Sequence, residues 1–334
     1  MIYTTSSIGA FQACPKLYDL RMNHDLESKD RPSYFRLGSL FHEAKEIWAI
    51  ATDKPAGLRE AQKFIAKAEL PEGGEDIRCK VVAMMSAYHR VWRGNGVKYH
   101  DTELEFTCVT EKGKKLAGIC DAIVYHEGRW WIMETKTAAT VDESYIDRMR
   151  HQRQALLYTY AIKRLLGGTK IDDHARYRDI AGVLYDFIQK PTLKRKKATP
   201  EDKRKYTKGG DLYKGQREND ESDLDYTNRM HDWYAATMYE SIRRVEVVFS
   251  EHQLDAFAED LHKSIRLIEL CDSEDAWPMA LSACHAYNRA CEFAPYCRSA
   301  NSPLILQSFY RQREKKFAEF REDIGGKDAS NVTD

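Results

Sequence analysis

The chain has 334 residues with 52 Lys or Arg and 52 Asp or Glu, so its formal net charge is zero. Charged residues make up 31% and hydrophobic residues 43%, which excludes a collagenous, low-complexity or wholly disordered chain. The length suits one large domain or two smaller ones, and zero net charge argues against a protein that coats nucleic acid by bulk electrostatics.

Neither membrane insertion nor export is indicated by the apolar runs. No window approaches the ~20 continuous apolar residues of a membrane span, and the first six residues have neither the basic nor the apolar region of a signal peptide. We therefore expect a soluble, cytoplasmic protein. In such a protein, eight cysteines indicate metal ligation or burial before disulfides.

Helical patterns dominate the first 96 residues. Ser6 or Ser7 can cap a short opening helix, and Pro15 can begin a second one at a tolerated first position. Apolar residues then recur at helical spacing over 37–48 and 81–92.

Between residues 97 and 190 apolar residues recur at every second position, which predicts a core that contains a sheet. The expected strands cover 99–110, 115–125, 129–136 and 180–188. Short links that contain glycine make the first three strands consecutive hairpins. One long helix is expected at 143–166, before Gly167 and Gly168.

A charged insertion follows at 191–225. Residues 192–217 carry ten Lys or Arg against three acids, a net charge of +7, and 218–225 carry five acids, which is typical of an exposed, mobile segment. The insertion could contact phosphates or could be a solvated loop. Interleaved aromatic residues could stack on bases of single-stranded DNA: Tyr206, Tyr213, Tyr226 and Trp233.

Helical patterns resume over about 223–271. The sequence therefore predicts a single domain at 1–324. Its parts are a helical region (1–96), the core (97–190), the insertion (191–225) and a second helical region (226–324). A disordered tail is expected at 325–334.

Two carboxylates and a lysine form the most informative group. Asp121 follows Gly118 on the second strand, and Glu134 and Lys136 end the apolar third strand. Alternation puts Glu134 and Lys136 on one face and Thr135 on the other, and a hairpin can bring Asp121 beside Glu134. Such a group can hold Mg²⁺ or Mn²⁺ for phosphodiester hydrolysis, or it can be a cross-strand salt bridge. A strand that should be buried favours the metal site, because buried charge is costly unless it is paired.

The order Gly118-x-x-Asp121, then Glu134-x-Lys136, resembles the PD-(D/E)XK nuclease superfamily. More narrowly, it is similar to the RecB-like exonucleases and the CRISPR-associated iron–sulfur exonucleases. Further segments resemble these proteins in the same order along residues 6–297: the opening stretch 6–18, Gly38-Ser39-Leu40-Phe41-His42, Gln154-x-x-x-Tyr158 and a late cysteine cluster. The resemblance implies an α/β (α+β) fold with a restriction-endonuclease-like core. In that fold helices flank a small central mixed sheet, and a metal cluster joins the N- and C-terminal parts.

The same resemblance implies roles that the patterns alone leave open. His42, which on an apolar helix face is otherwise a core histidine, becomes the third side-chain ligand of the catalytic metal, and the main-chain carbonyl of Thr135 becomes a further ligand. Gln154 and Tyr158, at i and i+4 on one helix face, become organisers of the site or contacts to DNA. The implied catalytic set is Asp121, Glu134, Lys136, Gln154 and Tyr158.

Cys284, Cys291 and Cys297 lie within fourteen residues of one another. Four thiolates are the usual complement of a [4Fe–4S] cluster or of structural zinc. The resemblance implies that Cys14 is the fourth ligand, which would staple the two ends of the domain together. The six-residue gap between Cys284 and Cys291 is longer than in many family members. Zinc therefore stays open, with His285 as a substitute ligand, although we expect the iron–sulfur cluster.

These observations predict a Mg²⁺- or Mn²⁺-dependent DNA exonuclease of recombination, repair or CRISPR or phage DNA processing, in the cytoplasm of a bacterial or phage-infected cell. The expected partner is DNA that is single-stranded or has single-stranded ends. No Walker A motif is present, so a helicase or recombination partner would supply unwinding. Two alternatives stay open: a non-catalytic DNA-binding or assembly factor that keeps the fold and the cluster, and a zinc-stabilised RNA-processing protein.

Overall fold

A six-stranded mixed sheet forms the centre of the computed structural model, which describes residues 1–29, 34–71, 73–94, 96–168, 175–286 and 289–313. The strands are β1 (Ile2–Tyr3), β2 (Leu26–Ser28), β3 (Lys98–Val109), β4 (Lys115–His126), β5 (Arg129–Ala138), β6 (Ile180–Gln189), β7 (Ile242–Val248), β8 (His285–Ala286), β9 (Arg289–Ala290) and β10 (Tyr310–Gln312). The α-helices are α1 (Thr5–Ala13), α2 (Pro15–Tyr18), α3 (Tyr34–Ile50), α4 (Lys54–Lys67), α5 (Glu75–Trp92), α6 (Glu143–Arg150), α7 (Arg153–Thr159), α8 (Ala175–Arg178), α9 (Asp223–Ser241), α10 (Glu251–Ser273), α11 (Ala294–Arg298) and α12 (Pro303–Phe309). The tail predicted at 325–334 lies outside the described residues.

The sheet runs in the order β1-β4-β5-β6-β7, and β3 pairs with β4. Neighbouring strands are antiparallel except for two parallel pairs, β1 with β4 and β5 with β6. Because β5 and β6 are parallel, their carboxyl ends lie at the same edge of the sheet. Whatever follows β6 therefore begins beside the last residues of β5.

Tight turns set the register of the antiparallel core, as the sequence predicts. Between β4 and β5, Glu127 has a φ of 48° and Gly128 a φ of 82°. Positive φ at both central residues is the type I′ geometry, whose twist matches that of the flanking strands. The turn pairs His126 with Arg129 and so fixes which residues of β5 face each side.

Helices cover both faces of the sheet. One face packs against α1, α7 and α10, in a cluster that includes Ile8, Leu157 and Ile265. The other packs against α3, α5 and α9, with Phe41 and Tyr88 fully buried. The predicted fold class, a central mixed sheet flanked by helices, is confirmed. Within the described part of the chain, no helix combines the length and the apolar character that crossing a membrane requires.

The structure differs from the sequence prediction at three places. Thr4 caps α1 instead of Ser6 or Ser7, because its hydroxyl accepts the N–H of Ser7 while the Ser7 hydroxyl accepts the N–H of Thr4. The helix expected at 143–166 is broken where Gln152 takes an extended conformation, and its last part, Tyr160–Leu166, has wider π-type turns. The helical pattern expected across 223–271 is interrupted by β7, whose β-branched residues extend the sheet along β6.

Candidate active site

Asp121 lies where β4 and β5 separate. In the described structure the pairing of these strands ends with Ala122 and Met133. Nearer the start of β4, at Lys115 and Leu116, the same edge of β4 pairs with β1. The carboxylate of Asp121 fills the break: the N–H of Thr135 donates to its Oδ2 at 2.6 Å. A side chain thus replaces a ladder hydrogen bond, which holds the carboxylate beside the end of β5.

Glu134 and Lys136 share one face of β5. The Nζ of Lys136 donates to Oε2 of Glu134 at 3.1 Å and to Oε1 of Gln154 at 2.8 Å. Glu134 is only 1% exposed, and its Oε1 has no hydrogen-bond partner among the described residues. A buried carboxylate oxygen without a donor is costly, so this atom marks a place suited to a cation.

The imidazole of His42, a residue of α3, lies beside the carboxylate of Asp121. Its Nδ1 lies 3.4 Å from Oδ2 of Asp121. One turn earlier the helix runs close to the end of β5, since a Cβ on Gly38 would lie 3.4 Å from Oγ1 of Thr137. The structure therefore brings His42, Asp121, Glu134 and Lys136 into one group.

The two carboxyl groups differ in their electrostatics. Burial, reinforced by the charge of Asp121, raises the pKa of Glu134 to about 7, although Lys136 opposes the rise. Burial also tends to raise the pKa of Asp121. The hydrogen bond and charge of His42, together with the charges of Lys45 and Lys136, nevertheless hold this pKa below its ordinary value. Burial tends to lower the pKa of Lys136, but the negative charges of Glu134 and Asp121 raise it above its ordinary value. The group thus has one firmly ionised carboxylate and one that keeps its proton near neutral pH. Hard oxygens with an imidazole nearby fit a Mg²⁺ or Mn²⁺ ion.

Gln154 and Tyr158 support Lys136 from α7. Tyr158 is 6% exposed and packs edge-on against Phe106, with ring centroids 5.4 Å apart. It forms a hydrogen bond with Gln154, which in turn accepts from Lys136. Burial keeps the Tyr158 ring largely away from solvent. A Cβ on Gly118 would lie 2.6 Å from a Phe106 ring atom and 2.8 Å from a Tyr158 ring atom, so only glycine fits there.

Sequence reasoning missed a buried ionic network on the opposite face of β5. Lys45 of α3 donates to Oγ1 of Thr135, and its Nζ lies 3.4 Å from Oδ2 of Asp186. Asp186 is fully buried and also accepts from Arg244 at 2.6 Å and from the hydroxyl of Tyr88 at 2.7 Å. An acidic residue inside the apolar strand 180–188 was the available signal, because such a group must have partners.

Glu103 is a second residue that the sequence did not indicate. It lies opposite Asp121 on β3 and adopts a φ of 44°, a left-handed conformation that costs a non-glycine residue roughly 1–2 kcal/mol. Burial, with the charges of Asp121 and Glu46, raises the pKa of Glu103. These three acids and His42 line a cavity of about 10 Å³, which is room for about one water molecule.

The four predicted cluster ligands lie in one neighbourhood. Burial raises the pKa of Cys291 and of Cys297, and both thiols also interact electrostatically with Cys14 and Cys284. The Sγ of Cys14 accepts the N–H of Ala280 at 3.3 Å, and the N–H of Cys291 donates to the carbonyl of Cys284 at 2.8 Å. An apolar cluster packs against Cys291 and Cys297; it consists of Leu20, Leu26, Phe293 and Tyr310.

The one compact group of potential metal ligands in the described structure lies outside both predicted sites. Among the described residues, the one group of three or more potential ligands whose metal-binding atoms all lie within 4.8 Å of one another is His126, Glu127 and Glu246. It belongs to neither predicted site, since His126 and Glu127 are at the turn that begins β5. Among the described residues, no three of the four cysteine sulfurs all lie within 4.8 Å of one another, and neither do the ligand atoms of His42, Asp121 and Glu134.

Comparison with known proteins finds one matching family. No curated protein sequence matches the chain. The model of the PD-(D/E)XK nuclease superfamily matches residues 3–298, which include every residue of both predicted sites. The chain belongs to the PD-(D/E)XK nuclease superfamily.

Proposed function

We propose that this protein is a Mg²⁺- or Mn²⁺-dependent deoxyribonuclease of the RecB-like type that degrades DNA from its ends. The observation that carries the proposal is the unpartnered, buried Oε1 of Glu134 beside the ionised Asp121 and the cation of Lys136. A carboxylate oxygen that is buried without a donor is costly, and a bound cation would compensate for that cost. A metal site requires such an oxygen.

The ligands for the metal would be Asp121, Glu134, His42 and the main-chain carbonyl of Thr135. A bound Mg²⁺ or Mn²⁺ lowers the pKa of water and neutralises charge that develops on the phosphate. Lys136 is held by Glu134 and Gln154 with its ammonium group directed into the site, so it can orient the attacking water and stabilise the phosphate oxygens. Gln154 and Tyr158 act by fixing Lys136.

Substitution of Lys136 tests the chemistry. Lys136→Ala should lose cleavage of end-labelled DNA in Mg²⁺ and in Mn²⁺ while it keeps its circular dichroism spectrum and melting temperature. Lys114→Ala is the matched control, because Lys114 has similar exposure and a 2.6 Å ion pair with Glu269 outside the site. Full activity of Lys136→Ala would refute the assignment. DNA binding without cleavage in every metal would favour the non-catalytic assembly factor.

A circular substrate tests the exonuclease part of the proposal. An exonuclease needs an end, so linear single-stranded DNA should be degraded while the same sequence as a closed circle stays intact. Degradation of both at equal rates would show endonuclease action instead. We further propose that the protein works in the cytoplasm beside a helicase or recombination partner in repair, recombination or CRISPR or phage DNA processing.

We propose that Cys14, Cys284, Cys291 and Cys297 hold a [4Fe–4S] cluster. What supports this proposal is that the thiols of Cys291 and Cys297 each interact electrostatically with Cys14 and Cys284, since four thiolates are the usual complement of such a cluster. The apolar shell around Cys291 and Cys297 suits such a cluster because it excludes water.

Protein purified without oxygen should be brown and contain about four irons per chain. Cys14→Ala should lose colour and iron, whereas Cys108→Ala, at a similarly buried cysteine outside the group, should keep both. A colourless protein with one zinc per chain would refute the cluster and favour the zinc alternative.

A further inference from the structure

Beyond the active site, the most distinctive surface feature is the segment 199–217, here named the basic hairpin. It folds back on itself: the N–H of Thr199 donates to the carbonyl of Arg217 at 2.8 Å, and the N–H of Tyr213 donates to the carbonyl of Lys205 at 2.9 Å. Tyr206 and Leu212 form an antiparallel bridge next to the second contact, on the side of the tip. The segment is thus a loop that folds back on itself around one antiparallel bridge.

Ion pairs hold the two segments that flank the hairpin, 195–197 and 220–223, which are here called its base. These pairs involve acidic residues of the 218–225 segment. Arg195 pairs with Asp76 of α5 and with Asp223 of α9, each at 2.7 Å. Asp220 pairs with Lys197 at 2.9 Å, and Glu221 pairs with Arg229 of α9 at 2.7 Å. The acids at 220–223 therefore neutralise cations at the base, and they do not neutralise those of the hairpin.

The hairpin itself carries cations and aromatic rings that are open to solvent. Within the described part of the chain, the ammonium groups of four exposed lysines have no ion-pair partner: Lys203, Lys205, Lys208 and Lys214. Residues 201–217 have a net charge of +3, from six basic and three acidic side chains. Tyr206 is 51% exposed and Tyr213 is 50% exposed, whereas Tyr226 is fully buried.

The pairing of the hairpin distributes these groups over both of its faces. Cross-strand partners share a face, so Tyr206 lies with Leu212 and Lys205 lies with Tyr213 on the opposite face. Lys208 lies in the turn at the tip, where the N–H of Gly210 donates to the carbonyl of Thr207. Each face thus carries one tyrosine. Lys205 shares the face of Tyr213, and Lys208 lies at the tip.

The insertion that carries the hairpin starts at the edge of the sheet that carries the proposed catalytic site, before the hairpin itself begins at Thr199. The N–H of Lys190 donates to the carbonyl of Ala138 at 2.6 Å, which joins the start of the insertion to the end of β5, two residues after Lys136.

We propose that the basic hairpin is a binding arm for single-stranded DNA, in which Tyr206 and Tyr213 stack on bases and the exposed lysines contact phosphates. Exposed aromatic rings interleaved with cations are the combination that recognises single strands without reading sequence, because every base offers a π-face. A duplex hides those faces, so the arm favours single strands. The choice of DNA rests on the proposed nuclease function, but binding by the arm requires no cleavage.

The test is fluorescence anisotropy of the full-length protein with a labelled oligo(dT) and with a matched duplex, in EDTA. The double variant Tyr206→Ala/Tyr213→Ala should raise the Kd for oligo(dT) at least about tenfold and change the Kd for the duplex less. Tyr206→Phe/Tyr213→Phe should bind like the wild type, since it keeps the rings. Tyr239→Ala, at a tyrosine on α9 that is 82% exposed, is the matched control and should also bind like the wild type.

Salt dependence tests the lysines separately. Lys205→Ala/Lys208→Ala should reduce the slope of log K against log salt by about 1.4, or about 0.7 per lost phosphate contact on a single strand. Unchanged oligo(dT) affinity in the tyrosine variant, or equal losses in the Phe and Ala variants, would overturn the proposal. Because these measurements are made in EDTA, an absence of cleavage by the wild type in Mg²⁺ would refute the proposed function and leave this result standing.

Discussion

Glu134→Gln should make the metal-free protein more stable at neutral pH while it abolishes cleavage. Burial raises the pKa of Glu134 from its ordinary value of 4.5 to about 7, which means that the folded chain resists ionisation of this group. Because the unfolded chain ionises Glu134 more readily, the free energy of unfolding falls as the pH rises from about 4.5 to about 7. Glutamine has nearly the same shape and does not titrate.

The size of the effect follows from the pKa. A rise from 4.5 to about 7 corresponds to about 3 kcal/mol at pH 8, at about 1.4 kcal/mol for each tenfold change. Part of this gain is lost because Lys136 exchanges a charged partner for a neutral one, although it keeps its bond to Gln154. We expect a net gain of roughly 1–3 kcal/mol, which is about 1–4 °C in melting temperature for a chain of this size.

Thermal unfolding in EDTA at pH 8 and at pH 4.5 measures the effect. The variant should melt above the wild type at pH 8, and the two should converge at pH 4.5, where Glu134 keeps its proton in the folded protein. Added Mg²⁺ should raise the melting temperature of the wild type through preferential binding to the folded state, and it should raise that of Glu134→Gln much less.

Glu221→Gln is a control that should have the opposite effect on stability. Glu221 is also buried, but a hydrogen bond from Arg229 lowers its pKa to about 2, so its replacement should destabilise the protein at pH 8. The reasoning about Glu134 is refuted if Glu134→Gln melts below the wild type at pH 8, or if the difference is the same at both pH values.

Three further substitutions test the packing around the site. Gly118→Ala should lower the free energy of unfolding by about 1–3 kcal/mol in urea and reduce cleavage, because its Cβ would displace Tyr158. Asp186→Leu should cost about 3–5 kcal/mol in the same measurement, because it leaves the cations of Lys45 and Arg244 buried with their shared carboxylate gone. Gly128→Ala should lower the melting temperature by a few degrees, about 1 kcal/mol, because its φ of 82° strains any side chain; the activity should be retained.

The features that the sequence could predict are local ones. Alternation along residues 129–136 was enough to put Glu134 and Lys136 on one face, and the glycine in the turn before these residues was enough to indicate the hairpin that brings Asp121 near them. Strand β7 was missed although Ile242, Val245 and Val247 are β-branched, because helices on both sides extend the apparent helical pattern across it. The break at Gln152 had no glycine or proline to signal it.

The ionic network of Lys45, Asp186 and Arg244 could not be predicted in the same way. Its members come from α3, β6 and β7, and β7 was itself unrecognised. Nothing local to Lys45 distinguishes it from a surface lysine on an amphipathic helix, but in the structure its side chain is buried under Thr135. Only the tertiary arrangement brings the three charges together.

This network explains why the two carboxyl groups of the site titrate so differently. Asp186 balances Arg244, which leaves the charge of Lys45 to act on Asp121 from the far face of β5, while His42 and Lys136 act on Asp121 from the near side. His42, Lys45 and Lys136 thus keep Asp121 ionised, whereas the main cation acting on the more deeply buried Glu134 is Lys136. Glu134 therefore depends on a bound metal for its charge. A metal that binds there must displace the proton of Glu134, so metal affinity should fall as the pH drops below about 7.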